Sequence, residues 1–419
     1  MEQFQIGMIV LGALLVGGAL LSGLARRSFL SLTALYVLIG FALGDGGLGV
    51  LELSAEDGFV EDLAIVALVM ILFRDGLEVD GEMLQREWRL PLRKLVLAMP
   101  ITALIVAAAA HWVVGLGWLE SLLLGALLSP TDPVLSSSVV TNPRVPRLVR
   151  HSLNLESGLN DGLALAPVIA LSAALASGQD DFVWWSFLLE DLTIGFAAGI
   201  AIGYVAAVAL PRGRELRGGI ADHHKVLYAI GVAALTYGLI AYVEHGNAFI
   251  AVYVCAMTLG VRRPDVRGYV EAGASELIEV VKLGVFVVFG SILTLDGLFA
   301  DGWAAVAIVV VTLLIARPVA VWLSLLGMRD AVDWQTKAFM AWFGPKGVAT
   351  MAYSLFVLGE TIPDADRITN IAALCVLTSI VAHGLTDTPG AEWMARHHER
   401  STGGAGRDET ANDGSQVRK

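Results

Sequence analysis

Ser129-Pro130-Thr131-Asp132-Pro133 and Glu156-Ser157-Gly158-Leu159-Asn160-Asp161 each interrupt an otherwise apolar stretch of the 419-residue chain. They set carboxylates, a hydroxyl and an amide among residues that belong in lipid. An ionisable side chain at membrane depth costs about 2.5–3.5 kcal/mol on insertion scales, so a chain that keeps several generally uses them to move ions or protons. Pro130 and Pro133 remove two amide donors and block the carbonyls of the preceding turn, so a helix running through them has to open. A second break of this kind, Gly344-Pro345-Lys346-Gly347, lies near the other end of the chain.

The surroundings identify the solvent. Hydrophobic residues make up 56% of the chain and charged residues 16%, with a mean hydropathy of +0.69. That composition excludes an ordinary soluble domain. Apolar stretches of spanning length recur at about 6–25, 29–46, 59–78, 92–114, 118–140, 151–176, 184–210, 224–243, 247–261, 275–294, 303–326, 336–358 and 367–387, which predicts about thirteen transmembrane helices. Basic residues collect after the odd-numbered spans: Arg26 and Arg27, then Arg86, Arg89, Arg93 and Lys94, then Arg144, Arg147 and Arg150. Arg212, Arg214, Arg217 and Lys225, then Arg262, Arg263 and Arg267, and finally Arg329 and Lys337 continue the series. The intervening loops, Asp45 to Asp57, Gly178 to Asp181 and Asp296 to Asp301, are acidic or neutral. By the positive-inside rule the N-terminus lies outside and the C-terminus in the cytoplasm of a cell (inner or plasma) membrane. Span 1 lacks a cleavage site and reads as a retained helix. Cys255 and Cys375 fall inside spans and give no disulfide framework. The net charge of −12 belongs to loops and tail, with no nucleic-acid partner implied.

The two breaks lie seven spans apart, so their segments cross the membrane in opposite senses. This predicts an all-α polytopic fold of two inverted six-helix repeats, about 6–176 and 224–387, joined by a linker helix at 184–210, with the broken helices crossing near the midplane. Residues 1–387 form the transmembrane domain, and the polar residues 388–419 read as a disordered cytoplasmic tail. Asp161 is eleven residues past Arg150, the last charge of a cytoplasmic loop, and therefore roughly 16 Å deep at 1.5 Å per residue. Ser157 and Asp161 are four apart, as are Glu156 and Asn160, so each pair shares a helix face. A carboxylate, a hydroxyl and the carbonyls of an opened helix are hard oxygen ligands for a small cation, and also a proton site. The residues read as an ion-coupled transporter.

In that order and on those spans, Thr131-Asp132-Pro133, Glu156-Ser157-Gly158-Leu159-Asn160-Asp161-Gly162, Arg317-Pro318 and Gly344-Pro345-Lys346-Gly347 resemble the sodium/proton antiporters of the NhaP type, in the monovalent cation:proton antiporter-1 family. The resemblance covers about residues 5–387. It implies a homodimer that exchanges Na⁺, Li⁺ or K⁺ for H⁺, with no cofactor. It gives Asp161 as the carboxylate that alternately holds cation and proton, with Ser157 and Thr131 as further oxygen ligands of Na⁺. Asn160 stands where electrogenic relatives carry a second Asp, which implies electroneutral one-for-one exchange. Asp132 would compensate the helix ends of the crossing and hold Asn160, and Lys346 would neutralise the helix ends at the second break. Glu156 and Arg317 would form an intramembrane ion pair.

Other positions are read more blandly. Asp75, beside Arg74 near the cytoplasmic end of span 3, is open as an ion ligand or as half of a snorkelling surface pair. Lys282, three residues after Glu279, reads as half of a local pair. His111 and His383 read as hydrogen-bonded packing residues that could also sense pH. A cation channel or a sodium-coupled solute symporter would use similar broken helices. An intramembrane enzyme with Asp132 and Asp161 as paired carboxylates is disfavoured by Pro133 and by the opened backbone, so the chain reads as a transporter.

Overall fold

The computed structural model describes residues 32–54, 57–79, 89–132, 139–140, 142–177, 183–211, 222–243, 245–327 and 333–413, with scattered positions before residue 21. Most of span 1, Pro133, the loop Gly178 to Asp181 and the loop arginines Arg26, Arg27, Arg86, Arg212, Arg214, Arg217 and Arg329 lie outside the described residues. Among the described residues there is no strand, and every expected span from the second onward carries helix. The helices are α1 (Leu32–Leu43), α2 (Gly58–Glu78), α3 (Leu90–Val114), α4 (Trp118–Leu127), α5 (Arg147–Ala176), α6 (Leu189–Ala209) and α7 (Asp222–Val243). They continue as α8 (Ala248–Arg262), α9 (Pro264–Gly273), α10 (Ser275–Ser291), α11 (Trp303–Ser324), α12 (Trp334–Trp342), α13 (Val348–Gly359) and α14 (Ala365–Asp413). Leu104, Trp112, Val205, Trp303 and other large apolar side chains remain exposed, as helices surrounded by lipid require.

Four π-helical turns occur among the described residues, at Lys94–Ala98 and Ala110–Val114 in α3, at Phe187–Leu192 at the start of α6 and at Val311–Ala316 in α11. The first and the last each precede a proline, Pro100 and Pro318. The proline ring would clash with the carbonyl four residues back, Val96 or Leu314, and the widened turn relieves that contact. The first widened turn of α3 packs against the stretch that begins at Arg317, just after the widened turn of α11.

Close helix packing depends on glycine. In the α1–α10 pair a Cβ on Gly40 would lie 2.1 Å from the carbonyl oxygen of Val287, and one on Gly290 would lie 2.1 Å from that of Val37. Both contacts are with backbone, so the helices would have to separate. Gly290→Ala is expected to cost about 1–3 kcal/mol, visible as a lower thermal unfolding midpoint of the detergent-solubilised protein. An unchanged midpoint would show that the pair tolerates separation.

The expected disordered tail is a correction. Helix α14 runs from Ala365 through Pro389 to Asp413, so residues 388–413 are helical rather than irregular. Ala391, Met394 and Ala395 are buried, and Phe343 packs against Gly390. Their i, i+3, i+4 spacing is that of an apolar helix face, a signal that the polar composition of the segment outweighed in the sequence reading. Glu399 pairs with Arg144 at 3.0 Å, and His397 with Asp333 at 2.5 Å, fastening the helix to two interhelical loops.

Candidate functional site

The broken helices meet. Helix α4 stops at Leu127, and residues 129–132 are non-helical; α12 stops at Trp342, and α13 begins only at Val348. The Asp132 amide donates to the Pro345 carbonyl at 2.8 Å, and the Thr350 hydroxyl donates to the Leu127 carbonyl at 2.9 Å. The charges are placed reciprocally. Lys346 Nζ donates to the Ser129 and Pro130 carbonyls, at 3.3 and 3.1 Å, just beyond the C-terminal end of α4. Asp132 Oδ2 accepts from the Val348 amide at 3.3 Å, at the N-terminal end of α13. A cation at a C-terminal end and an anion at an N-terminal end each oppose the local helix dipole. Asp132 and Lys346 therefore both stand at helix ends of the crossing.

Helix α5 supplies the neighbouring wall. Asn160 Nδ2 donates to both the Thr131 hydroxyl, at 2.8 Å, and the Thr131 carbonyl, at 3.2 Å. This corrects the expectation that Asp132 holds Asn160: the amide is engaged by Thr131, one residue earlier. Asp161 is buried, and among the described residues its Oδ1 has no hydrogen-bond partner. Ser157 is buried one turn before it on the same helix. Two tyrosines that the sequence reading missed brace this stretch: Tyr353 donates its hydroxyl to the Asp161 carbonyl at 2.7 Å, and Tyr253 to the Gly158 carbonyl at 3.3 Å. Tyr253 lies flat against α5, where a Cβ on Gly162 would strike its ring.

Asp75 belongs to this interior group and not to the surface. It is 3% exposed, accepts from Arg74 at 3.0–3.1 Å, and lies within electrostatic range of Asp132, Asp161 and Lys282. The snorkelling reading fails because α2 packs against α5, α8, α10 and α13, which bury this turn. Lys282 is also buried, whereas Glu279, its expected local partner, is exposed. No ion pair joins the two among the described residues.

One turn below, Glu156 forms the ion pair expected with Arg317, at 3.0 Å, and Arg317 also donates to the Met340 and Phe343 carbonyls at the end of α12. A second cation, Lys94, contacts Glu156 Oε2 and sits 3.4 Å from the Ser152 hydroxyl. In the loop-charge pattern Lys94 stands as a cytoplasmic charge; the structure instead buries it to 1% exposure in the widened turn of α3. Its position next to the apolar run Leu95-Val96-Leu97-Ala98 was the available signal. The guanidinium of Arg317 fills the space beside Gly344, where a Cβ would lie 1.9 Å from it.

The two histidines pack. His111 stacks on Trp118 at 4.1 Å and bonds the Leu116 carbonyl at 2.8 Å. His383 sits between Ser379 and the Trp342 carbonyl, and Ser379 in turn accepts from the Lys346 amide at 2.8 Å.

Comparison with known proteins bears on the whole arrangement. Residues 11–393 match the family described as sodium/hydrogen exchanger, transmembrane. The chain is 28% identical over 410 residues to the K(+)/H(+) antiporter NhaP of Alkalimonas amylolytica, covering 96% of this chain and 69% of that protein. It is also 28% identical over 388 residues to the K(+)/H(+) antiporter NhaP2 of Shewanella baltica, covering 91% of this chain and 66% of that one. The chain thus spans about two thirds of the length of these relatives. Its fold is similar to that of the sodium proton antiporter MjNhaP1 from Methanocaldococcus jannaschii at pH 8, with a TM-score of 0.80 at 19% identity, covering 94% of this chain and 100% of that structure.

Proposed function

Because the chain belongs to the sodium/hydrogen exchanger family, we propose that it exchanges a monovalent cation for a proton, with both competing for the Asp161 carboxylate. The observation that carries this reading is the buried Asp161 Oδ1, which has no hydrogen-bond donor among the described residues, beside the crossing of two broken helices. A buried carboxylate that lacks donors has to be neutralised by something mobile. A proton or a cation each satisfies it; the empty anion is costly to carry past an apolar barrier, so the exchange is obligatory. Thr131, through its hydroxyl or carbonyl, and Ser157 are the further oxygen ligands.

The crossing itself supports one-for-one exchange. Asp132 and Lys346 are each engaged at a helix end, and Asn160 is a neutral amide bonded to Thr131. Asp161 is then the residue whose charge alternates. Transport is proposed to occur by alternating access across the cell membrane, with the N-terminus outside and the C-terminus in the cytoplasm, in a homodimer built from inverted repeats. The meeting of the two breaks supports the inverted arrangement. Curated relatives are named for potassium and the similar solved structure for sodium, so both cations enter the test.

The test is cation-induced proton movement in everted vesicles or proteoliposomes, with Na⁺, K⁺ and Li⁺ added in turn and the membrane potential clamped at different values. The expected result is collapse of a preformed pH gradient by at least one cation, at a rate independent of potential. Net current without proton movement would indicate a channel. Proton movement that depends on an organic solute would indicate a symporter.

A further inference from the structure

A cavity of about 330 Å³ lies between α5, α7, α8 and the end of α13. On the proposed topology this is the outer end of the protein. The floor of the cavity is buried and its mouth is open: Ser172 and Phe249 are buried, whereas Ala241 and Glu360 are exposed. Ser172 is eleven residues beyond Asp161 on the same helix, about 16 Å along it at 1.5 Å per residue, so the cavity is separate from the ion site. None of the lining residues is basic.

The wall offers three kinds of contact. Tyr237, Phe249 and Phe356 form a row of rings, with centroids 5.1 Å apart in the first pair and 5.8 Å apart in the second. A ring face attracts a cation by about 0.5–1 kcal/mol where exposed and about 2 kcal/mol where desolvated. Glu360 places a carboxylate at the mouth, and Glu61 of α2 reaches the residue before it, where a Cβ on Gly359 would lie 3.6 Å from Glu61 Cγ. At the floor Ser172 is 2% exposed, and its hydroxyl has no hydrogen-bond partner among the described residues. Helical hydroxyls commonly bond the carbonyl one turn back, and Thr102, Thr236 and Thr258 do so here at 2.7–2.8 Å. Ser172 leaves that bond unmade, although an unsatisfied buried hydroxyl costs about 1–3 kcal/mol.

We propose that this cavity binds a small organic ammonium ion, which is not the transported cation. The charge of the ligand lies against the ring faces and Glu360, an N–H donates to the Ser172 hydroxyl, and its hydrocarbon part takes the apolar wall. A hydrated inorganic ion would leave that wall unused, so charge and apolar area together favour an organic cation. Ligand pockets begin at roughly 300 Å³, which suits a small molecule here and not a peptide.

The test is calorimetric titration of phenethylammonium into the purified full-length protein in detergent, with neutral phenethyl alcohol as the control. A ligand of this size is expected to bind saturably with a Kd of about 0.1–1 mM. Glu360→Gln is expected to weaken binding about tenfold, Ser172→Ala about threefold, and Ala241→Phe, which fills the mouth, to abolish it. Glu360 and Ala241 are both exposed, so neither substitution threatens the fold. Asp161→Asn is expected to bind within about twofold of wild type, because the two sites are far apart. Absence of saturable binding overturns the proposal, as does equally tight binding of phenethyl alcohol. An affinity unchanged in either Glu360→Gln or Ala241→Phe also overturns it, and loss of binding in Asp161→Asn would move the ligand to the ion site. Binding is read without transport, so its failure leaves the antiporter reading standing, and a wild type that moves no cation leaves this proposal standing.

Discussion

Asp161→Asn is expected to abolish cation-dependent proton movement while leaving the protein folded and inserted. The substitution is nearly isosteric, so the packing of α5 against Tyr253 and Tyr353 is retained; both tyrosines bond backbone carbonyls and not the carboxylate. What is lost is the charge that has to be neutralised before the site can move. A neutral amide carries neither a proton nor a cation between the two faces, and obligatory coupling disappears with it. The measurement is vesicle transport beside a size-exclusion profile and thermal midpoint of the purified variant. Transport surviving in a correctly inserted Asp161→Asn protein would remove the central claim.

Glu156→Gln is expected to act on stability instead. Glu156 is buried between Lys94 and Arg317, two cations that reach it from α3 and α11. Removing the carboxylate charge leaves two buried cations facing one another, and breaking a buried pair in this way costs about 3–5 kcal/mol. Because Arg317 also holds the carbonyls at the end of α12, the loss should spread to the second break. The expected result is a thermal midpoint several degrees lower in detergent, or failure to accumulate in the membrane. Arg317→Ala should resemble it, since Glu156 would keep only Lys94. A Glu156→Gln protein with wild-type stability would mean that Lys94 and Arg317 find other partners.

Much of this architecture was legible in the sequence, for reasons that can be stated. In lipid a helix has to be about twenty apolar residues long, and an opened helix needs proline or glycine, so the spans and both breaks are written locally. Lys346 and Asp132 were readable because a charge beside a break has few other uses. The pairing of Glu156 with Arg317 was implied by the family resemblance, and the cost of leaving either charge alone agrees with it. What escaped was set by which faces meet. Lys94 looks the same in a loop as in the first turn of an apolar helix, and only the packing of α3 against α11 shows that it is buried. Tyr253 and Tyr353 reach backbone carbonyls, and a bond to backbone leaves no trace in residue type. Asn160 is held by Thr131 and not by Asp132, a shift of one residue that only three-dimensional register decides. The segment after residue 387 was misjudged by composition, which averages over a helix whose buried stripe is narrow.

The crossing also constrains how the protein is made. The carbonyls of Ser129 and Pro130 wait for Lys346, and the Leu127 carbonyl for Thr350, more than two hundred positions later in the chain. At a synthesis rate of roughly 5–20 residues per second, helix α4 sits in the bilayer with its end unsatisfied for about ten to forty seconds before its partner emerges. A nascent chain in this interval holds the first half of the site without the groups that close it. Chains that stop before residue 346 should therefore be recognised and degraded as unfinished, and full-length chains should gain protease resistance late and in a single step.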